Sequence, residues 1–222
     1  MSIIAIIGGT GPLGRGLAYR FAAAGHAVMV GSRAADRAAE MAETVRTRLT
    51  ENGIDAAELS GLTNAEALHG AEIAVLAVPW DSHDALVGSL SDDLAGKIIV
   101  SCVNPLGFDQ RGPYGLMVEE SAAEQAQRLV PTARVIGAFH HVAAASLWKT
   151  LDPLGHESVL VCGDDLDAKE MIMDLATAVT GHVGVDAGAL RLARQLEPLT
   201  AVLISINKRY KTRSGIAVTG LS

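Results

Sequence analysis

The chain has 222 residues, 49% of them apolar, which is enough to bury the core of one globular domain with a smaller appendage. Its formal net charge of −7 argues against a nucleic-acid partner, which normally requires a basic surface. The uninterrupted apolar stretches are all too short to span a membrane, so the sequence predicts no membrane partner.

The two cysteines, Cys102 and Cys162, lie far apart in the chain and lack metal-ligand spacing. Isolated thiols of this kind are typical of a reducing compartment, where they act as small buried apolar side chains. The N-terminus also lacks a basic leader and a cleavage site after its apolar run. The sequence therefore predicts a cytoplasmic protein without a metal site.

From its start, the chain alternates short β-branched runs with helical stretches, a pattern typical of a parallel sheet with crossover helices. The expected strands are residues 3–7, 27–30, a weak one near Leu59, 73–78, 98–101, 134–139, 159–162 and 183–186. The expected helices are residues 13–24, 36–51, 121–129, 167–179 and 190–209, with a Gly/Pro-rich loop at 103–115. The pattern predicts a Rossmann-type doubly wound, mostly parallel α/β sheet with a smaller C-terminal α/β part.

A glycine-rich turn, GTGPLG at residues 9–14, follows the first strand and opens the first helix. Gly9 permits the tight turn, Gly11 lets the backbone approach a pyrophosphate, and Gly14 lets the helix pack close to the sheet. Pro12 suits the first helical turn, where its missing N–H has no helical partner to lose. The helix N-terminus then offers free N–H groups and a positive dipole end to phosphates. A turn without a ligand is the alternative, but the strand before it and the helix after it favour a dinucleotide site.

The residues after the second strand indicate which dinucleotide binds. An NAD site normally has a carboxylate there, which bonds the ribose 2′-hydroxyl. This chain has Ser32 and Arg33 at that place, and Arg37 follows one helical turn later. A hydroxyl and two guanidinium groups suit a 2′-phosphate, and Thr10 adds a hydroxyl from the turn. The sequence predicts NADP(H), although Asp36 also allows the two arginines to form a solvated helix face.

Further segments follow strand ends, where the ligands of doubly wound sheets bind. They contain Val78-Pro79-Trp80, Val103 and His140-His141. Trp80 has the flat side chain that suits a nicotinamide pocket, and a tryptophan that only packs at the surface gives the same pattern. The two histidines likewise fit either a ligand contact or a structural role.

The groups that activate alcohols or carbonyls in many dehydrogenases are missing from this sequence. It contains no Tyr-x-x-x-Lys pair, no nucleophile elbow and no cluster with zinc-ligand spacing. A hydride that passes directly between two redox cofactors needs none of these, because it requires two stacked rings and the exclusion of water. We therefore expect no catalytic side chain.

The order of motifs along the chain resembles one family. The opening IIGGTGPLGRGLAYRFAAAGHAVMVGSR is similar to NADPH-dependent reductases of the deazaflavin coenzyme F420, the F420H2:NADP oxidoreductases. The resemblance continues through IAVLAVPW, GAFHHVAAASL, VCGDDLDAK and VDAGALRLARQLEPLTAVLISIN, and so covers nearly the whole chain. The glycine turn alone specifies little, whereas the combination with GSR, VPW and VCGDD is far more specific.

This resemblance implies an NADPH-dependent F420 reductase that transfers hydride directly between NADP(H) and coenzyme F420. It implies a homodimer, with residues 1–140 as the NADP-binding domain and residues 141–222 completing the deazaflavin pocket and the dimer contact. It assigns Thr10, Gly11, Pro12 and Leu13 to the pyrophosphate, Ser32, Arg33 and Arg37 to the 2′-phosphate, and Val78, Val103 and Ala144 to the nicotinamide end. It assigns Trp80, His140, Val142, Thr200 and Leu203 to the deazaflavin side.

Other functions fit the same nucleotide-binding residues. Reductases of imines or β-hydroxy acids usually have a long helical C-terminal domain, and the single long helix after residue 186 leaves little room for one. The cytoplasmic domain of membrane ferric reductases is also similar, and it passes hydride from NADPH to a flavin. Reduction of FMN, FAD or riboflavin in solution is therefore one alternative. A non-enzymatic NADP(H)-sensing module, which needs only the nucleotide site, is the other.

Overall fold

The computed structural model describes residues 1–56 and 58–221. The fold is organised around a buried sheet. The strands are β1 (Ile3–Ile7), β2 (Ala27–Ser32), β3 (Leu59–Thr63), β4 (Ile73–Leu76), β5 (Ile98–Ser101), β6 (Leu106–Asp109), β7 (Gly112–Gly115), β8 (Arg134–Gly137), β9 (Leu160–Gly163) and β10 (Val185–Asp186). Eight of them form one sheet in the order β10-β9-β8-β5-β4-β1-β2-β3, and β6 and β7 form a separate antiparallel hairpin. Within the large sheet only β8 and β9 pair antiparallel. The predicted mostly parallel α/β fold is confirmed.

Helices cover both faces of this sheet. They are α1 (Pro12–Ala23), α2 (Ala35–Glu51), α3 (Asn64–Leu68), α4 (Trp80–Ser89), α5 (Ser91–Leu94), α6 (Ala122–Leu129), α7 (Ala144–Lys149), α8 (Leu166–Leu175), α9 (Thr177–Thr180) and α10 (Ala193–Tyr210), with a 3-10 turn at Leu190–Leu192. Of the helices in the described part of the chain, none is long and apolar enough to cross a membrane.

Strand β1 shows how the sequence builds the core. Side chains alternate between the two faces of a strand, so Ile4 and Ile6 pack into one apolar layer and Ala5 and Ile7 into the other. Because helices cover both faces, all four residues are fully buried. The continuous apolar run that predicted this strand is therefore the direct consequence of its position in the middle of a parallel sheet.

Several elements were not expected from the sequence. The predicted loop at 103–115 contains the hairpin β6–β7, because Gly and Pro masked its short strands. The chain after β4 does not continue as strand to residue 78: β4 ends at Leu76, and Pro79 is the N-cap of α4. Helix α3 has a capping box between Thr63 and Glu66, a signal that was present in the sequence and overlooked. Helix α7 was also missed, because its six residues are too few for a clear period.

The C-terminal residues extend the same sheet and pack on α1. Strands β9 and β10 add to the edge formed by β8. The buried Arg20 side chain in α1 donates hydrogen bonds to the carbonyl groups of Leu147, Leu151 and Asp152, at 3.3, 3.1 and 3.0 Å. These bonds attach α7 and the loop after it to α1. The division at residue 140 remains a prediction, and Ser222, the last residue of the second part, lies outside the described residues.

Candidate functional site

The turn between β1 and α1 is built from close backbone contacts. Gly8 has φ +77°, a left-handed conformation that favours glycine. The Gly9 N–H donates to the carbonyl groups of Ile6 at 3.1 Å and Gly31 at 2.9 Å. A Cβ on Gly14 would lie 2.7 Å from the Gly9 Cα, so only glycine lets α1 start this close to the strand. The turn is therefore held rigidly at the carboxyl edge of the sheet.

Gly11 differs from these residues because the protein's own packing does not require a glycine there. A Cβ on Gly11 would lie 3.4 Å from the nearest atom, the Gly8 carbonyl oxygen, which is an ordinary contact. Gly11 is the N-cap of α1, no side chain caps this helix, and Pro12 occupies its first turn. Pro12 has no N–H, and the next N–H groups of the helix therefore lack a side-chain capping partner. This arrangement suits an anion that approaches the backbone closely.

A cavity of about 580 Å³ opens at this helix N-terminus. It is formed where β1, β2, β3 and β4 end, which is the edge of the sheet at which dinucleotides bind in doubly wound folds. Its lining residues are Gly8, Thr10, Gly11, Ser32, Arg33, Arg37, Asn64, Ala77, Val78, Pro79, Asp81, Ser82, Ala85 and Leu86. The cavity thus brings together seven of the residues that the sequence predicted, namely Thr10, Gly11, Ser32, Arg33, Arg37, Val78 and Pro79.

The positive side of this cavity comes from Arg33 and Arg37. Both side chains are exposed, and within the described residues neither guanidinium forms an ion pair with a carboxylate. Asp36, which lies between them, instead accepts the backbone N–H of Arg37 at 2.8 Å. The Ser32 hydroxyl oxygen accepts the Ala34 N–H at 3.4 Å, so its own proton is free for another acceptor. Two cations and a hydroxyl that line one cavity can bind a phosphoryl group.

The other predicted residues do not line this cavity. Gly9 and Gly14 lie buried beneath the turn, and Pro12 is exposed on the helix. Trp80 stacks on the buried His83 ring, with 5.8 Å between ring centroids. The remaining apolar side chains pack within the protein: Leu13, Val103, Val142, Ala144 and Leu203.

His140 lies in a confined position at the end of β8. Its ring is 4% exposed, and neither ring nitrogen has a hydrogen-bond partner in the described structure. The ring rests on Gly137, where a Cβ would lie 3.2 Å from Nε2, so glycine is needed to admit it. The His140 carbonyl accepts hydrogen bonds from the Thr200 hydroxyl at 2.9 Å and from the Asn104 amide at 3.4 Å. These bonds join α10 to the ends of β5 and β8.

The backbone just before His140 is strained. Phe139 has φ +61°, which is rare for a bulky residue and costs on the order of 1–3 kcal/mol. Its ring packs edge-on against Phe21 in α1, with 5.8 Å between ring centroids. This packing and the two bonds to the His140 carbonyl hold the turn in place. Strain of this kind clusters at functional sites, and here it lies at a strand end that the sequence assigned to a ligand.

Burial shifts the pKa values of the ionisable groups around this strand end. Burial, together with the neighbouring His141, lowers the pKa of His140 to about 3, so its ring is neutral near pH 7. Burial also lowers the pKa of His141, although the hydrogen bond between its ring and the Leu196 carbonyl raises that pKa in part. Glu197 in α10 accepts the N–H groups of Ala122 and Ala123, yet burial raises its pKa to about 7.

Sequence reasoning missed seven of the residues that line the cavity: Gly8, Asn64, Ala77, Asp81, Ser82, Ala85 and Leu86. Gly8 carries the left-handed conformation of the turn, and the doubled glycine at positions 8 and 9 was the available signal. Asn64 lines the cavity from the start of α3. The capping box of Thr63 and Glu66 was the available signal for Asn64. That motif places Asn64 at the start of a helix but does not show which distant residues it contacts.

Comparison with known proteins gives consistent matches. A family model described as "NADP oxidoreductase coenzyme F420-dependent" matches residues 3–105. The chain is 34% identical over 222 residues to the F420-dependent NADP reductase of Methanocaldococcus jannaschii, covering 98% of both chains. It is 36% identical over 224 residues to the protein of that name from Methanothermobacter thermautotrophicus, covering 98% of this chain and 95% of the relative. The crystal structure of a candidate F420-dependent NADP reductase from Arthrobacter superposes with a TM-score of 0.82 at 29% identity, covering 99% of this chain and 100% of that one.

The burial of His140 predicts a specific response to acid. A histidine whose pKa is lowered by folding stabilises the protein above its ordinary pKa of 6.5, and this contribution is lost as the pH falls from 6.5 towards 3. The variant His140→Met removes the titration, so the wild type should lose about 2 kcal/mol more stability than the variant between pH 7 and pH 5. Urea unfolding at both pH values measures the difference. Equal losses in the two proteins would show that the imidazole is not buried as described.

Proposed function

Because this chain belongs to the coenzyme F420-dependent NADP oxidoreductase family, we propose that it transfers a hydride directly between NADP(H) and coenzyme F420. The observation that carries the proposal is the cavity that connects an uncapped helix N-terminus to two unpaired arginines at the next strand end. A second anion site beside the pyrophosphate cradle favours NADP(H) over NAD(H), because only NADP(H) carries a 2′-phosphate. The whole-chain similarity to F420-dependent NADP reductases supports the deazaflavin as the second cofactor.

The residues of the cavity would divide the dinucleotide among them. The Leu13 N–H belongs to the helix end that would meet the pyrophosphate, where Gly11 and Pro12 let the backbone approach and the Thr10 hydroxyl lies beside them. Ser32, Arg33 and Arg37 would bind the 2′-phosphate by charge-assisted hydrogen bonds. Val78 and Pro79 would extend the site towards the nicotinamide end, where apolar side chains exclude water.

The second ring would lie on the side of the fold towards β5, β8 and α10. We assign Trp80, His140, Val142, Thr200 and Leu203 to the deazaflavin, and Val103 and Ala144 to the nicotinamide. In this assignment residues 1–140 hold the dinucleotide and residues 141–222 complete the deazaflavin pocket. The chemistry supplied by the two bound cofactors is transfer of a hydride, with one solvent proton balancing the charge of the reduced deazaflavin. The protein binds, orients and dehydrates the rings, and no side chain has to act as a nucleophile or a general acid.

An absorbance assay tests this function. Mixing the protein with NADPH and oxidised F420 should bleach the visible absorbance of the deazaflavin at a rate proportional to protein concentration. Turnover with FMN, FAD or riboflavin but not with F420 would instead support a flavin reductase. Tight NADPH binding without turnover of any acceptor would support an NADP(H)-sensing module.

The cofactor preference is tested by the two arginines. Arg33→Ala with Arg37→Ala removes two charge-assisted contacts to the 2′-phosphate and should weaken NADPH binding by about 2–5 kcal/mol. NADH lacks this phosphate, so its affinity should change much less. Titration calorimetry with both nucleotides measures the two affinities. An equal loss for NADPH and NADH would refute the phosphate assignment.

We further propose that the chain forms a homodimer through an apolar surface on α10 and the hairpin β6–β7. Here Phe108 is 68% exposed and Val202 51%. The hairpin packs directly on α10, since a Cβ on Gly115 would lie 2.6 Å from the Pro198 side chain. Exposed large apolar side chains on two packed elements are typical of an interface between subunits. A second copy is the partner that the family resemblance implies.

Val202→Glu should convert this dimer to a monomer, because it places a charge in the middle of the apolar surface. Light scattering coupled to size-exclusion chromatography measures the mass. Val183→Glu is the matched control, because Val183 is also exposed, at 54%, but lies between α9 and β10. A wild-type monomer, or a dimer that survives Val202→Glu, would contradict the proposed interface.

A further inference from the structure

Asn64 occupies a fixed position between three strand ends. It is the first residue of α3, directly after β3, and its side chain is 7% exposed. The capping box on either side holds the backbone, since the Thr63 hydroxyl accepts the Glu66 N–H at 3.3 Å and the Thr63 N–H donates to the Glu66 carboxylate at 3.0 Å. The backbone that carries the Asn64 side chain is therefore held in one conformation.

The contacts of Asn64 reach both neighbouring strands. Its Oδ1 accepts the Gly8 N–H at 3.5 Å, the outer limit of a hydrogen bond. A Cβ on Gly31 would lie 2.9 Å from the same oxygen and 3.4 Å from the Asn64 Cα, so Asn64 packs tightly on the end of β2. Asn64 thus contacts the turn after β1 and the segment that leads to Ser32 and Arg33. These are the two parts of the chain that would bind the pyrophosphate and the 2′-phosphate.

The bond from Gly8 also fixes the orientation of the amide. Only an oxygen can accept that N–H, so Nδ2 is the atom that remains for other partners. Nδ2 makes no hydrogen bond to any residue that the structure describes, and Asn64 lines the cavity. A neutral donor is therefore available between the two positive regions of the site.

We propose that Asn64 is a binding residue for NADP(H): its Oδ1 holds the glycine turn, and its Nδ2 donates a hydrogen bond to an oxygen of the adenosine half of the dinucleotide. The inference rests on the proposed function. It explains why the position suits an amide better than a carboxylate of the same size. Aspartate would hold the Gly8 N–H equally well, but it would place a negative charge between the sites for two negatively charged groups.

Two substitutions separate the parts of this proposal. Asn64→Asp keeps the acceptor for Gly8 and replaces the donor with a charged oxygen, so the Kd for NADPH should rise at least about 10-fold and more than the Kd for NADH. Asn64→Ala removes both the donor and the acceptor for Gly8 without adding charge, and should raise both Kd values by similar factors, about 3- to 10-fold. High salt should reduce the effect of Asn64→Asp and leave that of Asn64→Ala unchanged.

Asn52→Asp is the matched control. It makes the same change of charge at the C-terminal end of α2, where the Asn52 amide bonds the Tyr19 hydroxyl and the Arg48 carbonyl away from the cavity. Nucleotide affinities measured by calorimetry should equal those of the wild type, and circular dichroism reports whether each variant is folded. The KM for F420 should stay constant in all folded variants, because Asn64 faces the dinucleotide only.

Unchanged NADPH affinity in folded Asn64→Asp would overturn the inference while leaving the proposed function intact. So would equal Kd increases for Asn64→Asp and Asn52→Asp, because they would reflect net charge alone. A wild-type protein that does not bind NADPH would instead contradict the proposed function itself. The two failures are therefore distinguishable in one set of titrations.

Discussion

The close approach of α1 to the end of β1 is the constraint on which the rest of the site depends. A Cβ on Gly14 would lie only 2.7 Å from the Gly9 Cα. Any side chain on Gly14 would therefore push the helix away from the strand. The helix N-terminus would then no longer face the cavity, and its uncapped N–H groups would lose their orientation. The same turn is bonded to β2 through the Gly31 carbonyl, at 2.9 Å from the Gly9 nitrogen. The two regions that we propose to bind anions therefore hold a fixed separation, which is a property of the backbone and not of the cationic side chains.

Local charge decides the ligand even though the protein as a whole is negative, with a formal net charge of −7. Arg33 and Arg37 lie within one helical turn and are not neutralised by a carboxylate in the described residues. The Asp36 carboxylate accepts the backbone N–H of Arg37 and forms no ion pair with either guanidinium in the described residues. Screening at physiological salt limits the reach of distant carboxylates to about 8 Å, so only the charges that line the cavity act strongly on a ligand there, namely Arg33, Arg37 and Asp81. Net charge predicts the absence of large polyanionic partners far better than it predicts small anionic ligands.

Much of the sheet and half of the site could be predicted because their determinants are local. The run 3–7 and the glycine turn that follows it predict β1 and the start of α1, and the position of Ser32 and Arg33 follows from the length of β2. Val103 and Trp80 were correctly placed near strand ends, but whether they face the cavity depends on how α4 and α6 pack, which no local pattern contains. Asn64 was missed for the same reason: its neighbours Gly8 and Gly31 are distant in sequence and meet only when three strands align. The hairpin β6–β7 was missed because Gly and Pro suppress the strand signal.

The side of the fold assigned to the second ring is built by contacts between distant parts of the chain. Thr200 bonds the His140 carbonyl across 60 residues, and Arg20 bonds the carbonyl of Leu147 across 127. A direct hydride transfer depends steeply on the distance between donor and acceptor carbons, so elements that support the second ring must not move relative to the first. The strained Phe139 fits this requirement, because a left-handed bulky residue persists only where the surrounding packing over-determines it. The His140 imidazole that rests on Gly137 is neutral near pH 7. It therefore adds no charge that would attract water to this strand end. The same buried residues thus supply the rigidity that a direct hydride transfer requires from its protein.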